Sequence, residues 1–179
     1  MKRYGNLFEK IVDIDNIKLA HKNARKGKSD YKDVRIVNAD IDGFCNNIHE
    51  LLVSKTFNTA EYTMFTKNDK GKIREIYKLP YYPDRIVQHA IMQVIEPIWK
   101  KTLIADTYQS IKGRGVHKVL PKIKKAVQQD GIAYCLKMDV KKFYPSIDKV
   151  IMKQVIRRKI KCIDTLWLLD NIIDSGVKG

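Results

Sequence analysis

The chain has 179 residues, 44% hydrophobic and 31% charged, which is long and apolar enough to bury a core and excludes overall disorder. No apolar run reaches the roughly 18 residues of a bilayer span, and MKRYGNLFEK has no signal-peptide core. The three cysteines, Cys45, Cys135 and Cys162, suit neither a disulfide framework nor a Cys-x-x-Cys metal site, so a reduced, cytoplasmic, globular protein with no membrane partner is expected. Its 35 Lys and Arg against 20 Asp and Glu leave a net charge of +15, which favours a polyanion, nucleic acid first and an anionic membrane surface second.

In chain order, Leu7, Ile11, Ile14, Ile17 and Ala24 have helical spacing, and a polar run from Lys22 to Asp30 follows. Asn38-Ala-Asp40 opens a second helix with Phe44, Ile48, Leu51 and Leu52 on its apolar face. Tyr62 to Thr66 and Lys72 to Leu79 read as a β-hairpin turning at Asn68-Asp69-Lys70-Gly71, with Arg74, Ile76 and Lys78 on one face of its second strand. A long helix starts near Pro83-Asp84 and carries the stripe Ile86, Val87, Ala90, Ile91, Val94, Ile95 and Ile98, which Pro97 should kink or end. After a loop from Asp106 to Gly115, a helix is expected over Val116 to Val127. A buried strand is expected over Ala133 to Asp139, bounded by Gly131, with further helices from Asp148 to Ile160 and from Asp164 to Asp174. Trp99 and Trp167 sit among aliphatics as core residues, while His21, His49 and His89 lack metal-ligand spacing. The loop-type ending Ser175-Gly-Val-Lys-Gly179 has no terminal cap, so a cut chain is expected there.

Cations are unevenly placed. Lys112 to Lys125 holds six Lys or Arg and no acid, and Lys141 to Lys161 holds eight and one acid, Asp148. A solvated helix face ordinarily mixes signs. Lys112, Arg114, His117 and Lys118 cluster where a helix should start, a setting suited to backbone phosphates or to a solvated loop.

The stretch Lys137-Met-Asp139-Val-Lys-Lys-Phe143-Tyr144-Pro-Ser146-Ile-Asp148 carries the chemistry. A strand would deliver the Asp139 carboxylate to its end, two aromatics would follow in a turn, and Ser146 or Asp148 would cap the next helix. Such a carboxylate can hold Mg²⁺, which prefers hard oxygen ligands and substrate phosphates, or can simply accept backbone hydrogen bonds in a capped turn.

These residues resemble motif A of bacterial reverse transcriptases, the family of group II intron, diversity-generating and retron-like enzymes. Upstream, Gly71-Lys72-Ile-Arg74 to Pro80, Asp84-Arg85-Ile-Val-Gln-His-Ala-Ile and Ile95-Glu96-Pro97 resemble its fingers blocks, and Ser110-Ile-Lys-Gly113-Arg114-Gly115-Val-His117 resembles the loop before motif A. The matches keep family order from about Thr56 to the C-terminus. The resemblance implies an α+β fold: a helical extension over 1–55, fingers over 56–130 and the truncated first part of a palm over 131–179. It implies an RNA-directed DNA polymerase that binds an RNA template, a DNA or RNA primer and a deoxynucleotide, with two Mg²⁺ ions in the complete enzyme.

By the same resemblance Asp139 is the first metal-binding aspartate, with the Val140 carbonyl beside it, and Tyr144 is the steric gate against ribose, supported by Phe143. Lys72 and Arg74 grip the incoming triphosphate, since a guanidinium forks onto phosphate oxygens. The alternative for Arg74 is an exposed hairpin cation. Arg85 is either a template contact or half of a first-turn ion pair with Asp84.

The family's second catalytic block, Tyr-x-Asp-Asp, is absent, and Asp164, Asp170 and Asp174 stand in another context, facing solvent or capping helices. Two-metal phosphoryl transfer needs several carboxylates at one site. A C-terminal part or accessory protein is therefore expected to complete the enzyme. The rival readings are an inactive RNA-binding module derived from a reverse transcriptase and, less suited to the sequence, a membrane-surface protein using its basic helices.

Overall fold

The structure, a computed structural model, describes residues 2–129 and 132–176. It is an α+β fold of eight helices and one antiparallel β-hairpin among those residues. The N-terminal helical spacing resolves into α1 (Phe8–Val12) and α2 (Ile14–Ala24), because the Asp13 carboxylate accepts the Asn16 N–H at 3.0 Å and starts a new helix. A helix not foreseen, α3 (Lys32–Ala39), buries Val34 and Val37, and α4 (Ile41–Val53) opens at Asp40, which caps Gly43 N–H at 2.9 Å.

The hairpin pairs β1 (Thr63–Asp69) with β2 (Lys72–Lys78), from Thr63 opposite Lys78 to Asp69 opposite Lys72. Its turn is the pair Lys70-Gly71, with φ of 53° and 82°, the left-handed backbone that a two-residue hairpin turn requires. A turn over residues 81–85 leads into α5 (Ile86–Lys100), which starts two residues after the Pro83-Asp84 signal. Pro97 does not end it: the helix runs on to Lys100. Beyond a loop come α6 (Val116–Gln129), α7 (Lys149–Arg157) and α8 (Ile163–Ser175).

The core gathers Ile11, Ile17, Ile48, Leu52 and Ile86 at 0% exposure, so α1, α2, α4 and α5 close around one apolar centre, joined by Ile160 and Leu168 from the α7–α8 region. Trp99 and Trp167 pack against this core half-buried. Between α2 and α5, Asn16 Nδ2 donates to the Ala90 carbonyl at 3.2 Å and Gln93 Nε2 donates to Asn16 Oδ1 at 2.8 Å, which satisfies polar groups at the contact and fixes its register. The chain also closes on itself. Tyr4 N–H donates to the Lys159 carbonyl at 2.7 Å, and Lys161 N–H donates to the Tyr4 carbonyl at 2.8 Å.

The expected strand over Ala133 to Asp139 is corrected. Residues 132–140 form no strand and every one of them is exposed. A lone extended segment has no ladder to hold it, and no partner strand stands beside it among the described residues. The strand packed on two helices expected there is not present among the described residues. Gly131 and Val177, Lys178 and Gly179, on which the strand boundary and the expected cut rested, lie outside the described residues.

Candidate nucleic-acid interface

Antiparallel pairing puts directly opposed residues on the same face of the hairpin. Lys72, Arg74, Ile76 and Lys78 of β2 therefore share a face with Asp69, Lys67, Phe65 and Thr63 of β1. Toward the root of the hairpin this face opens onto a cleft of about 400 Å³ between β1, β2, the start of α3 and the start of α5. Tyr31, Tyr62, Phe65, Tyr77 and Tyr81 line it with aromatic rings, and Lys28, Lys78 and Arg85 bring cations, against one carboxylate, Asp33. Rings offer stacking faces to any base, and the cations suit the phosphates between bases.

Arg85 immediately precedes α5 with its side chain exposed and donates to Gln88 Oε1 at 3.2 Å. The ion pair with Asp84 is not made. Asp84 is 1% exposed and turns inward, where Oδ1 accepts the Ala60 N–H at 3.1 Å while Oδ2 has no partner, and burial raises its pKa above the usual carboxylate value. Asp84 thus anchors the approach to β1 and leaves Arg85 to the cleft. Arg74, nearer the hairpin tip, is exposed, and its Nε lies 3.0 Å from Asp69 Oδ2. Lys72 is exposed beside it. An exposed pair of this kind contributes little to stability, so the guanidinium can exchange Asp69 for a phosphate.

The basic cluster before α6 divides. Lys112, His117 and Lys118 are exposed, but Arg114 Nη1 donates to the carbonyls of Ala105 at 3.1 Å and Thr107 at 3.2 Å and so braces its own loop. Lys122, one turn on, pairs with Asp106 at 2.6 Å.

Asp139 is exposed and does not line the cleft. Val140 follows it in the same irregular segment. Phe143 and Tyr144 meet edge to face, with ring centroids 5.4 Å apart, and Tyr144 is 83% exposed. Ser146 Oγ donates to the Phe143 carbonyl at 2.8 Å, and Asp148, not Ser146, caps α7 by accepting the Ile151 N–H at 2.9 Å. Asp164, Asp170 and Asp174 are not idle: they pair with Lys55, Arg157 and Lys153 respectively. No group of three or more His, Cys, Asp or Glu able to hold a metal ion occurs among the described residues, so the side chains around Asp139 do not fit a two-ion centre.

Sequence reasoning picked out Arg85 but missed the cleft around it. Four separate stretches build that cleft, and only the alternation of β2 gave any local hint. Asn171 of α8 holds the segment that leads into β1 by accepting from Thr59 N–H at 3.1 Å and Thr59 Oγ1 at 3.0 Å and by donating to the Phe57 carbonyl at 3.2 Å. No described helix is long and apolar enough to cross a membrane.

No protein-family model matches the chain. It is 24% identical over 116 residues to Protein YkfC of Escherichia coli (strain K12), an alignment that takes in 63% of this chain. The chain spans about 30% of the length of that curated relative.

Proposed function

We propose that this chain is the nucleic-acid-gripping part of an RNA-directed DNA polymerase of the reverse transcriptase type. The observation that carries the reading is the cleft at the hairpin root, where five aromatic rings and three cations meet one carboxylate. A single-stranded template fits that chemistry: its bases stack on the exposed rings of Tyr31, Phe65 and Tyr77 and its phosphates meet Lys28, Lys78 and Arg85. Lys72 and Arg74, on the same face nearer the tip, reach for the triphosphate of a deoxynucleotide, and Lys112, His117 and Lys118 hold the primer–template backbone. In a protein completed by further carboxylates, Asp139 with the Val140 carbonyl would hold Mg²⁺, and Tyr144, supported by Phe143, would stand against the sugar.

A second reading, an RNA-binding module without chemistry, is favoured by Asp139 belonging to no group of three or more His, Cys, Asp or Glu among the described residues.

The deciding experiment measures two things on purified chain. Affinity for single-stranded RNA should fall linearly on a log–log salt plot, and Arg85→Ala should flatten its slope by about one contact. Primer extension is then assayed with and without a polypeptide carrying a Tyr-x-Asp-Asp block. Extension only with that polypeptide supports the polymerase; binding without extension in either case supports the module. Affinity that ignores salt refutes both.

A further inference from the structure

We propose that His89, together with Arg85, Lys26 and Lys28, forms a phosphate site beside the cleft, and that a phosphodiester of single-stranded RNA seated there brings a proton onto the imidazole. Arg85 immediately precedes α5 and His89 lies on its first turn, and a separation of four residues makes them neighbours along the helix. The loop between α2 and α3 supplies the lysines. Lys28 lines the cleft with Arg85 and Gln88. Lys26 Nζ donates to Asn23 Oδ1 at 2.8 Å, and Asn23 Nδ2 donates to Gln93 Oε1 at 2.7 Å, one turn beyond His89, so hydrogen bonds tie this lysine to α5. Two turns fix the course of the loop around Gly27, whose φ is 68°. Lys28 N–H donates to the Arg25 carbonyl at 2.9 Å, and Tyr31 N–H donates to the Lys28 carbonyl at 3.0 Å.

The imidazole is uncommitted. His21 is held between Asn38 and Tyr81, and His49 Nδ1 lies 2.7 Å from the Val12 carbonyl, whereas neither ring nitrogen of the half-buried His89 has a partner among the described residues. Burial first, and then the charges of Arg85, Lys28 and Lys26, lower its pKa from the ordinary 6.5 and keep it neutral. The other elements around it do not offset those cations. On α2, which packs along α5, His21 is taken up inside the fold and Arg25 turns to Asn38. Asp33 of α3 lines the cleft but does not act on the ring, and Lys78 of β2 adds a further cation to the cleft wall.

Three fixed cations and one convertible one, with no carboxylate acting among them, select an anion. A phosphodiester cancels the repulsion that keeps His89 neutral, so its arrival favours a fourth positive charge. Linkage makes the effect reciprocal: the proton tightens the phosphate as much as the phosphate tightens the proton. The protonated ring also donates from both nitrogens, so a phosphate oxygen meets a charge-assisted donor where the neutral ring offers an ordinary one. The grip on RNA should therefore strengthen as pH falls through neutrality. This inference rests on reading the cleft as a grip for single-stranded RNA and leaves the chemistry of Asp139 aside.

The test titrates the His89 ring by nuclear magnetic resonance in the full chain, free and saturated with a single-stranded RNA oligonucleotide whose hydroxyl ends leave phosphodiesters as its only phosphates. The titration midpoint should rise by about one pH unit on binding, and RNA affinity should tighten about threefold to tenfold from about pH 8 to about pH 6.5. His89→Gln should lose that tightening. A midpoint that stays in place while RNA binds overturns the proposal and spares the reading of the cleft; RNA that binds at neither pH overturns both. Tightening lost in His117→Gln and kept in His89→Gln moves the proton to the cluster before α6 and overturns the proposal. So does a midpoint that rises with a deoxynucleoside triphosphate and not with the oligonucleotide, which assigns the site to the incoming nucleotide.

Discussion

The Tyr81 hydroxyl, at the floor of the cleft, stands 2.9 Å from Nδ1 of the buried His21. His21 Nε2 lies 2.9 Å from Asn38 Oδ1, which also accepts from Arg25 Nη1 at 2.7 Å. An atom that accepts from a guanidinium is an acceptor toward the imidazole too, so the His21 proton sits on Nε2 and Nδ1 accepts from Tyr81. The ring must be neutral for this. Burial lowers the His21 pKa from its ordinary 6.5, and burial pushes the Tyr81 phenol up to about 12.

Stability should therefore fall with acidification. Below the unfolded-state value of 6.5 the unfolded chain takes up a proton that folded His21 resists, so the folded state loses ground as pH drops. His89, also lowered by burial, acts in the same direction. Melting temperature should decrease between about pH 7.5 and about pH 5.5, and His21→Gln, which cannot titrate, should shallow that decrease. An identical pH slope in the variant would show that the network does not depend on neutral His21.

The start of α4 makes a sharper test. A Cβ on Gly43 would stand 2.1 Å from Asp40 Oδ2, so Gly43→Ala can be accommodated only by displacing the capping carboxylate. Alone, Asp40→Ala should cost about 1 kcal/mol through the lost cap. Gly43→Ala should be close to neutral in the wild type, because the helix gain of about 1 kcal/mol offsets the cap, and plainly stabilising beside Asp40→Ala. Chemical denaturation of the four proteins measures the coupling; strict additivity would refute it.

At the hairpin tip, Gly71 holds φ of 82° and Lys70 holds 53°. Gly71→Ala should destabilise the turn by roughly 1–2 kcal/mol, while Lys70→Asn, better suited to the left-handed region, should stabilise it by a few tenths. Amide exchange in β1 and β2 reads both changes. The hairpin is exposed along both strands except at the half-buried Ile76, so the global melt should barely move.

Asp139→Asn should leave RNA affinity of the chain nearly unchanged, since the exposed carboxylate lies outside the cleft. A binding titration beside Arg85→Ala checks this. A strong effect of Asp139→Asn with none from Arg85→Ala would move the interface away from the hairpin root.

What the sequence disclosed was local. The stripe from Ile86 to Ile98 and the turn residues Lys70-Gly71 each encode their own element. The helix α3 escaped notice because it is short and only Val34 and Val37 are buried. Residues 132–140 were misjudged for the opposite reason: alternation was present, but pairing depends on a partner that no local pattern supplies. The cleft was illegible because Tyr31, Phe65, Tyr81 and Arg85 meet only after the chain has folded.

The clasp between Tyr4 and the residues around Ile160 has a topological consequence. Since the N-terminal segment is zipped to the chain just before α8, the loop after α5, and α6 itself, are inserted in sequence between elements that this clasp already ties together. Such an excursion behaves as a graft: lengthening it costs only loop entropy, about 0.6 kcal/mol for each doubling. Between the two ends of that graft, evolution or an engineer can exchange cargo without rerouting the scaffold that carries the cleft.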